Sequence, residues 1–257
     1  NSPAARARKL SSLKGFYKYL CTKMKLIRVN PTDDVGIPAQ KKRLPKYLSL
    51  KEGTELLQSV QSDFYERDYC MITLFLNCGM RLSELVNINV TDIQDDGTIR
   101  IIGKGDKERL VYLNEACVKA LTRLCDERRK LPNLQDDKAL FVSKKTGKRL
   151  SARRVQQIVE GCLRAAGLSG KGYSTHKLRH TAATMMYQEG HVDMLALKEI
   201  LGHAHVSTTE IYTHLGAAQL KEAAKASPFA KMDFEHPPAA QETDGTKPHD
   251  EENRKVK

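Results

Sequence analysis

A mostly α-helical protein carrying one small antiparallel β-sheet, an α+β arrangement, is what this sequence predicts. Three observations lead there. Apolar residues recur at three- and four-residue steps through most of the chain. Ser–Glu pairs and glycines stand where helices should begin and end. One stretch, TIRIIGKGDKERLVYL at 98–113, alternates with period two around a glycine-rich turn, the pattern of a β-hairpin.

The elements follow in order. Leu10, Leu13, Phe16, Tyr17 and Leu20 predict a helix over 3–25. One amphipathic helix cannot make a core alone, so residues 1–28 are expected to close a helical domain whose earlier part lies upstream. Residues 29–47 hold three prolines and the basic run Lys41, Lys42 and Arg43, and read as a linker. Ser49 and Glu52 form a capping box before a helix with Leu56, Leu57 and Val60. Further helices are expected over about 66–78, stopping near Gly79, and from about 81. After the hairpin comes a helix over about 114–130, ended before Pro132. Residues 139–150 should pair briefly around Thr146 and Gly147. From Ser151 a helix turns Val155, Ile158, Val159 and Leu163 inward. Two more follow over about 175–189 and 193–201, with Gly190 and Gly202 at C-cap positions. Ser207 and Glu210 mark another helix start, placing Tyr212 in its first two turns. Residues 217–227 are Ala-rich and helical. Residues 48–235 thus form one domain, and the polar tail 236–257 is expected to be disordered.

Composition narrows the function. Of the 257 residues, 43 are Lys or Arg against 31 Asp or Glu, a net charge of +12. The first fifty hold 12 of the basic and 2 of the acidic residues. Such a balance points to an anionic partner, most commonly nucleic acid. Six cysteines form no CxxC pair and read as free thiols of a reducing compartment, not as a zinc site. The longest uncharged apolar run, YCMITLFLNCGM at 69–80, is shorter than the roughly 20 residues of a membrane span. A cytoplasmic protein with no membrane partner is expected.

Four clusters could carry chemistry. In GMRLSEL at 79–85, Arg81 and Glu84 are three apart on one helix face. Alone they read as a surface ion pair. In IGKGDKERL at 102–110, Lys104 lies between glycines, with Lys107 as a rival; alone it reads as a charged turn. In STHKLRHTAAT at 174–184, His176 and Arg179 share a face, and His180 follows His176 at four residues. Two His so spaced suit zinc, but Lys177 stands where a metalloprotease has Glu, and no third ligand is evident. In LGHAHVSTTEIYTHLG at 201–216, His203 follows a capping glycine and Tyr212 lies nine residues on. Together the clusters supply two Arg, a Lys, two His and a Tyr, the requirements for attack on a phosphodiester. Guanidiniums grip non-bridging oxygens and stabilise transition-state charge. Imidazole carries protons near neutral pH, Lys can protonate a leaving alkoxide, and neighbouring cations ease ionisation of a phenol. No metal or other cofactor is called for.

The order Arg81, Lys104, His176-x-x-Arg179, His203, Tyr212 resembles the catalytic set of the tyrosine recombinases. GMRLSEL, GKGDKER, THKLRHTAAT and LGHAHVSTTEIYTH are similar to the motifs of the Xer and phage-integrase branch, over about 45–230. ARARKLSSLKGFYKYL at 4–20 resembles the closing helix of that family's core-binding domain. The resemblance implies a tyrosine-recombinase catalytic domain preceded by the end of a core-binding domain. It implies that Tyr212 attacks a DNA phosphate, giving a 3′-phosphotyrosine and a 5′-hydroxyl, without ATP. Arg81, Arg179 and His203 would bind the phosphate, Lys104 would act as general acid, His176 would assist, and Glu84 would support. Arg6, Arg8, Lys9 and Lys14 of the first helix, with Lys41, Lys42 and Arg43, are the expected contacts to double-stranded DNA. The implied assembly is a homo-tetramer on DNA, or a hetero-oligomer with a related recombinase, associated with the nucleoid. Leu220 and Phe229 would anchor the C-terminal segment on a neighbouring protomer. The alternatives are a DNA-binding protein of this fold that does not cleave, type IB topoisomerase-like strand passage, and a metal-dependent hydrolase.

Overall fold

The computed structural model describes residues 2–38, 46–102, 108–202 and 217–234. The chain divides into two compact units, 1–45 and 46–257. The first contains α1 (Pro3–Thr22). Ser2 caps it by accepting from the Ala5 N–H, and Pro3 occupies the first turn, where a missing N–H costs nothing. Within α1 only Ala7 is buried, and Leu13 and Phe16 remain about half exposed.

The second unit is built around α3 (Tyr65–Cys78), of which every residue but Glu66 is buried. A helix apolar all round belongs in a core. Its charged and amide groups in the core are paired: Arg67 with Asp68 at 2.7 Å and with the Val142 carbonyl, Asn77 with Asn114 and Ser227. Around it pack α2 (Leu50–Gln58), α5 (Glu115–Arg129), α6 (Ala152–Ala165) and α7 (Thr175–Gln188). The Ser49–Glu52 capping box is formed, and α6 buries Val155, Ile158, Val159 and Leu163 as its period predicts. Gly79 ends α3 in the left-handed region (φ 56°), and α4 (Leu82–Asn87) starts three residues after it.

The sheet is antiparallel, in the order β1 (Ile93–Gln94), β2 (Thr98–Ile102), β3 (Glu108–Tyr112). Ile99 faces Val111 and Ile101 faces Arg109, so these four share the inward side. Residues 139–150 contribute isolated bridges, Val142 to Arg149 and Ala139 to Asn89, in place of strands. A second apolar cluster joins α7 to α8 (Met194–Leu201) and α9 (Ala217–Lys225) through Met186, Leu197 and Ile200.

Two expectations are corrected. Gly190 does not cap α7; Glu189 does, in a right-handed conformation. Gly190 is required by proximity, since a Cβ there would lie 2.3 Å from the Ala226 carbonyl oxygen. Leu220 and Phe229, expected to anchor on a neighbouring protomer, are taken up within their own unit. Leu220 packs on the α7–α8 cluster, and Phe229 is fully buried over Gly53 of α2. The segment after α9 is stitched down by Ser227 to Asn77, by the Ala116 N–H to the Ala230 carbonyl, and by Arg123 to Asp233.

Candidate active site

The site begins with two left-handed glycines. Gly79 stops α3 so that the next residues turn across the end of the helix. A Cβ at Gly79 would lie 2.6 Å from Leu201, so α8 passes directly over it. Gly202 ends α8 in the same conformation (φ 64°). Arg81 is the N-cap of α4, and Glu84 closes on it: the Arg81 N–H donates to Glu84 Oε2 at 2.7 Å, and Arg81 Nη1 to Oε1 at 2.6 Å. Carboxylate at a helix start also meets the positive end of the helix.

Arg179 comes from α7, a hundred residues later. It donates from Nη1 to the Gly79 carbonyl at 2.5 Å and from Nη2 to the Leu201 carbonyl at 2.6 Å. Its Nη1 stands 3.9 Å from Glu84 Oε2. Arg81 Nη2 donates to the Gly202 carbonyl at 2.9 Å. Arg109, from β3, donates to the Ile200 carbonyl at 2.6 Å and to Glu84 Oε2 at 3.1 Å. Three successive carbonyls at the C-terminal end of α8, where the helix dipole is negative, thus each meet a different guanidinium.

Charges follow from this packing. Burial alone would raise the Glu84 pKa; Arg109, then the bonds from Arg81, outweigh it and hold the carboxyl below its ordinary value. Burial, then repulsion from Arg81, lowers Arg179 to about 10, which leaves it cationic at neutral pH. Burial likewise lowers Arg109, against the pull of Glu84. Three cations around one anion leave an unbalanced positive charge, the setting for a further anion.

A cleft of about 470 Å³ opens on this cluster, lined by Met80, Arg81, Ser83, Thr175, His176 and Arg179 among others. His176 is exposed at its edge, one turn before Arg179 on α7. Its ring meets that of His180 edge-on, with centroids 4.7 Å apart. Partial burial, then His176, Lys177 and Arg179, lowers the His180 pKa, so its imidazole is neutral at pH 7. Among the described residues no group of three His, Cys, Asp or Glu could hold a metal ion. No helix of the described residues is long and apolar enough to cross a membrane.

Of the residues singled out in the sequence, Arg81, Glu84, His176 and Arg179 converge on this cleft. Arg6, Arg8, Lys9 and Lys14 lie on α1, in the other unit. Lys104, His203, Tyr212, Lys41, Lys42 and Arg43 fall outside the described residues. Arg109 was not anticipated. Its signal was a charge in the inward phase of a strand: it alternates with Val111 and pairs with Ile101.

Known proteins share this sequence and architecture. A model of the phage integrase family matches residues 46–219. "Tyrosine recombinase XerC" of Caldanaerobacter subterraneus subsp. tengcongensis is 52% identical over 231 residues, covering 90% of this chain and 65% of that protein. "Tyrosine recombinase XerC" of Thermodesulfovibrio yellowstonii is 36% identical over 235 residues, covering 88% of this chain and 77% of its own. Among solved structures, the XerH site-specific recombinase bound to palindromic difH substrate, in a post-cleavage complex, matches with a TM-score of 0.66 at 29% identity, over 87% of this chain and 67% of that one. The XerA recombinase matches with a TM-score of 0.57 at 32% identity, over 86% and 75%.

Proposed function

This chain belongs to the phage integrase family, and on that premise we propose that it is a Xer-like tyrosine recombinase that cleaves and rejoins double-stranded DNA at specific sites. The observation that carries the reading is the convergence of Arg81 and Arg179 on one cleft, with His176 at its edge and a surplus of positive charge. A phosphodiester is the anion that fits such a site. Two guanidiniums fixed in advance stabilise the charge that accumulates as the phosphorus becomes five-coordinate.

In this mechanism the Tyr212 phenol oxygen attacks phosphorus, and the bond to the 5′-oxygen breaks. The leaving oxygen takes a proton from Lys104 and departs as a 5′-hydroxyl; the phenolic proton passes to a base, with His176 assisting. The 3′-phosphotyrosine keeps the ester bond, so a 5′-hydroxyl from a partner strand can reverse the step without ATP. Arg81, Arg179 and His203 hold the phosphate, and Glu84 fixes Arg81. The basic residues Arg6, Arg8, Lys9, Lys14, Lys41, Lys42 and Arg43 contact the DNA backbone, and the active assembly is a tetramer, of one kind of chain or with a related recombinase. The protein works at the nucleoid, in the cytoplasm.

A nicked suicide substrate carrying the cognate site tests this. The native chain should form a covalent protein–DNA adduct that resists denaturation, and Tyr212→Phe should form none. Binding without an adduct would return the chain to a non-cleaving DNA-binding role. Relaxation of supercoils without exchange between two sites would point to topoisomerase-like strand passage.

A further inference from the structure

We propose that Arg109 is a positioning residue of this site: it holds Glu84 toward Arg81, keeps Arg179 off that carboxylate, and pins the end of α8. Its catalytic consequence rests on the recombinase reading; its structural consequence does not. Glu84 has two oxygens. Oε1 accepts from Arg81 Nη1, and Oε2 accepts from the Arg81 N–H and from Arg109 Nη2 at 3.1 Å. Arg179 Nη1 is left at 3.9 Å from Oε2, beyond hydrogen-bond range. Were Arg109 absent, Oε2 would keep only the Arg81 N–H as donor and could close on Arg179, the other guanidinium that faces it. A guanidinium drawn into an ion pair has less of its charge to offer a phosphate.

The second grip is on the backbone. Arg109 Nη1 donates to the Ile200 carbonyl at 2.6 Å, and its side chain lies against Gly202, where a Cβ would come within 2.6 Å of Nε. Residue 203 follows directly in the sequence, and Lys104 precedes Arg109 by five residues. One side chain therefore ties the base of the hairpin, the Arg81–Glu84 pair and the last turn of α8. The tie carries a cost: Arg109 Nε is buried and finds no hydrogen-bond partner among the described residues. A residue chosen for stability alone would not leave such a donor buried, and an apolar side chain in its place is often neutral or stabilising.

Arg109→Met and Arg109→Lys, in the full chain, test the proposal. At saturating nicked DNA, Arg109→Met should form adduct about 100-fold more slowly, with half-saturation within about threefold of the native value. Arg109→Lys keeps the charge but can reach only one of the two acceptors, and should fall between them. Independently of activity, crystals of Arg109→Met should show Arg179 Nη1 within about 3.2 Å of Glu84 Oε2. If that variant fails to fold, Arg109→Lys is read in its place. Native-like cleavage in the variants, or equal loss of DNA affinity and rate, overturns the positioning role, as does an unmoved Arg179. A native chain that forms no adduct, with Arg179 closed on Glu84 in the variant crystals, would sink the recombinase reading and leave the positioning role standing.

Discussion

Arg128 and Arg179 are buried to the same degree, 6% and 7% exposed, and both donate to backbone carbonyls, yet they do different work. Arg128 satisfies the carbonyls of Ala139, Asp136 and Asp137, joining the end of α5 to the next loop. A neighbouring cation, Arg149, is met by the Asp136 carboxylate at 3.5 Å. Arg179 grips Gly79 and Leu201, but it does so with two more arginines and one shared carboxylate nearby, at the wall of a cleft. Burial and carbonyl bonding mark a structural clamp. Repeated like charge beside open space marks a site that awaits an anion, because that charge is a cost to the empty fold.

The contrast can be broken most decisively at Arg179. Arg179→Ala should slow adduct formation by about 1000-fold, roughly 4 kcal/mol of transition-state stabilisation, while the melting temperature falls by only a few degrees. An equal loss of stability at both arginines would erase the distinction. Arg128→Met should do the reverse. It strands the buried Ala139 carbonyl and two part-buried ones, and should lower unfolding free energy by about 3 kcal/mol in denaturant titrations, with the rate per folded molecule unchanged.

Glu84→Gln sharpens the comparison. The amide still fills the space but no longer attracts Arg81 and Arg109, and the cleavage rate should fall by about tenfold to 100-fold. Its effect on stability has a defined pH sign. The folded-state pKa of Glu84 lies below the unfolded value near 4.5, so its contribution is complete above that pH and is lost as pH falls below it. Melting curves of the native chain and Glu84→Gln should converge below pH 4.5. The smallest effect is expected at His180. Its neutral imidazole lies outside the cleft lining, so His180→Ala should change the rate by no more than about twofold, and a chelator should change nothing.

Much of this was legible in the sequence because it is local. Ser49 and Glu52 announce a helix start, Gly79 and Gly202 announce ends, and the period of Val155, Ile158, Val159 and Leu163 announces a buried face. Arg81 with Glu84, and His176 with Arg179, stand out because their spacing places them on common faces. What escaped is long-range and has no period. The bonds from Arg109 to Glu84 and Ile200 join residues 25 and 91 positions apart. The packing of Phe229 over Gly53, and of Ala226 against Gly190, depends on two backbones approaching closely, and a lone glycine in a sequence does not say what it makes room for.

That C-terminal packing sets a leash. Gly202 ends a helix clamped by three arginines, and α9 from Ala217 lies on α8 and β3 of the same unit. Tyr212 stands five residues before Ala217 and ten after Gly202. A chain spans at most about 3.6 Å per residue, so five residues reach no farther than about 18 Å from the α9 anchor. The covalent link alone thus bounds the distance between the Tyr212 and Ala217 backbones. One group tethered within that radius has an effective concentration on the order of tens of millimolar.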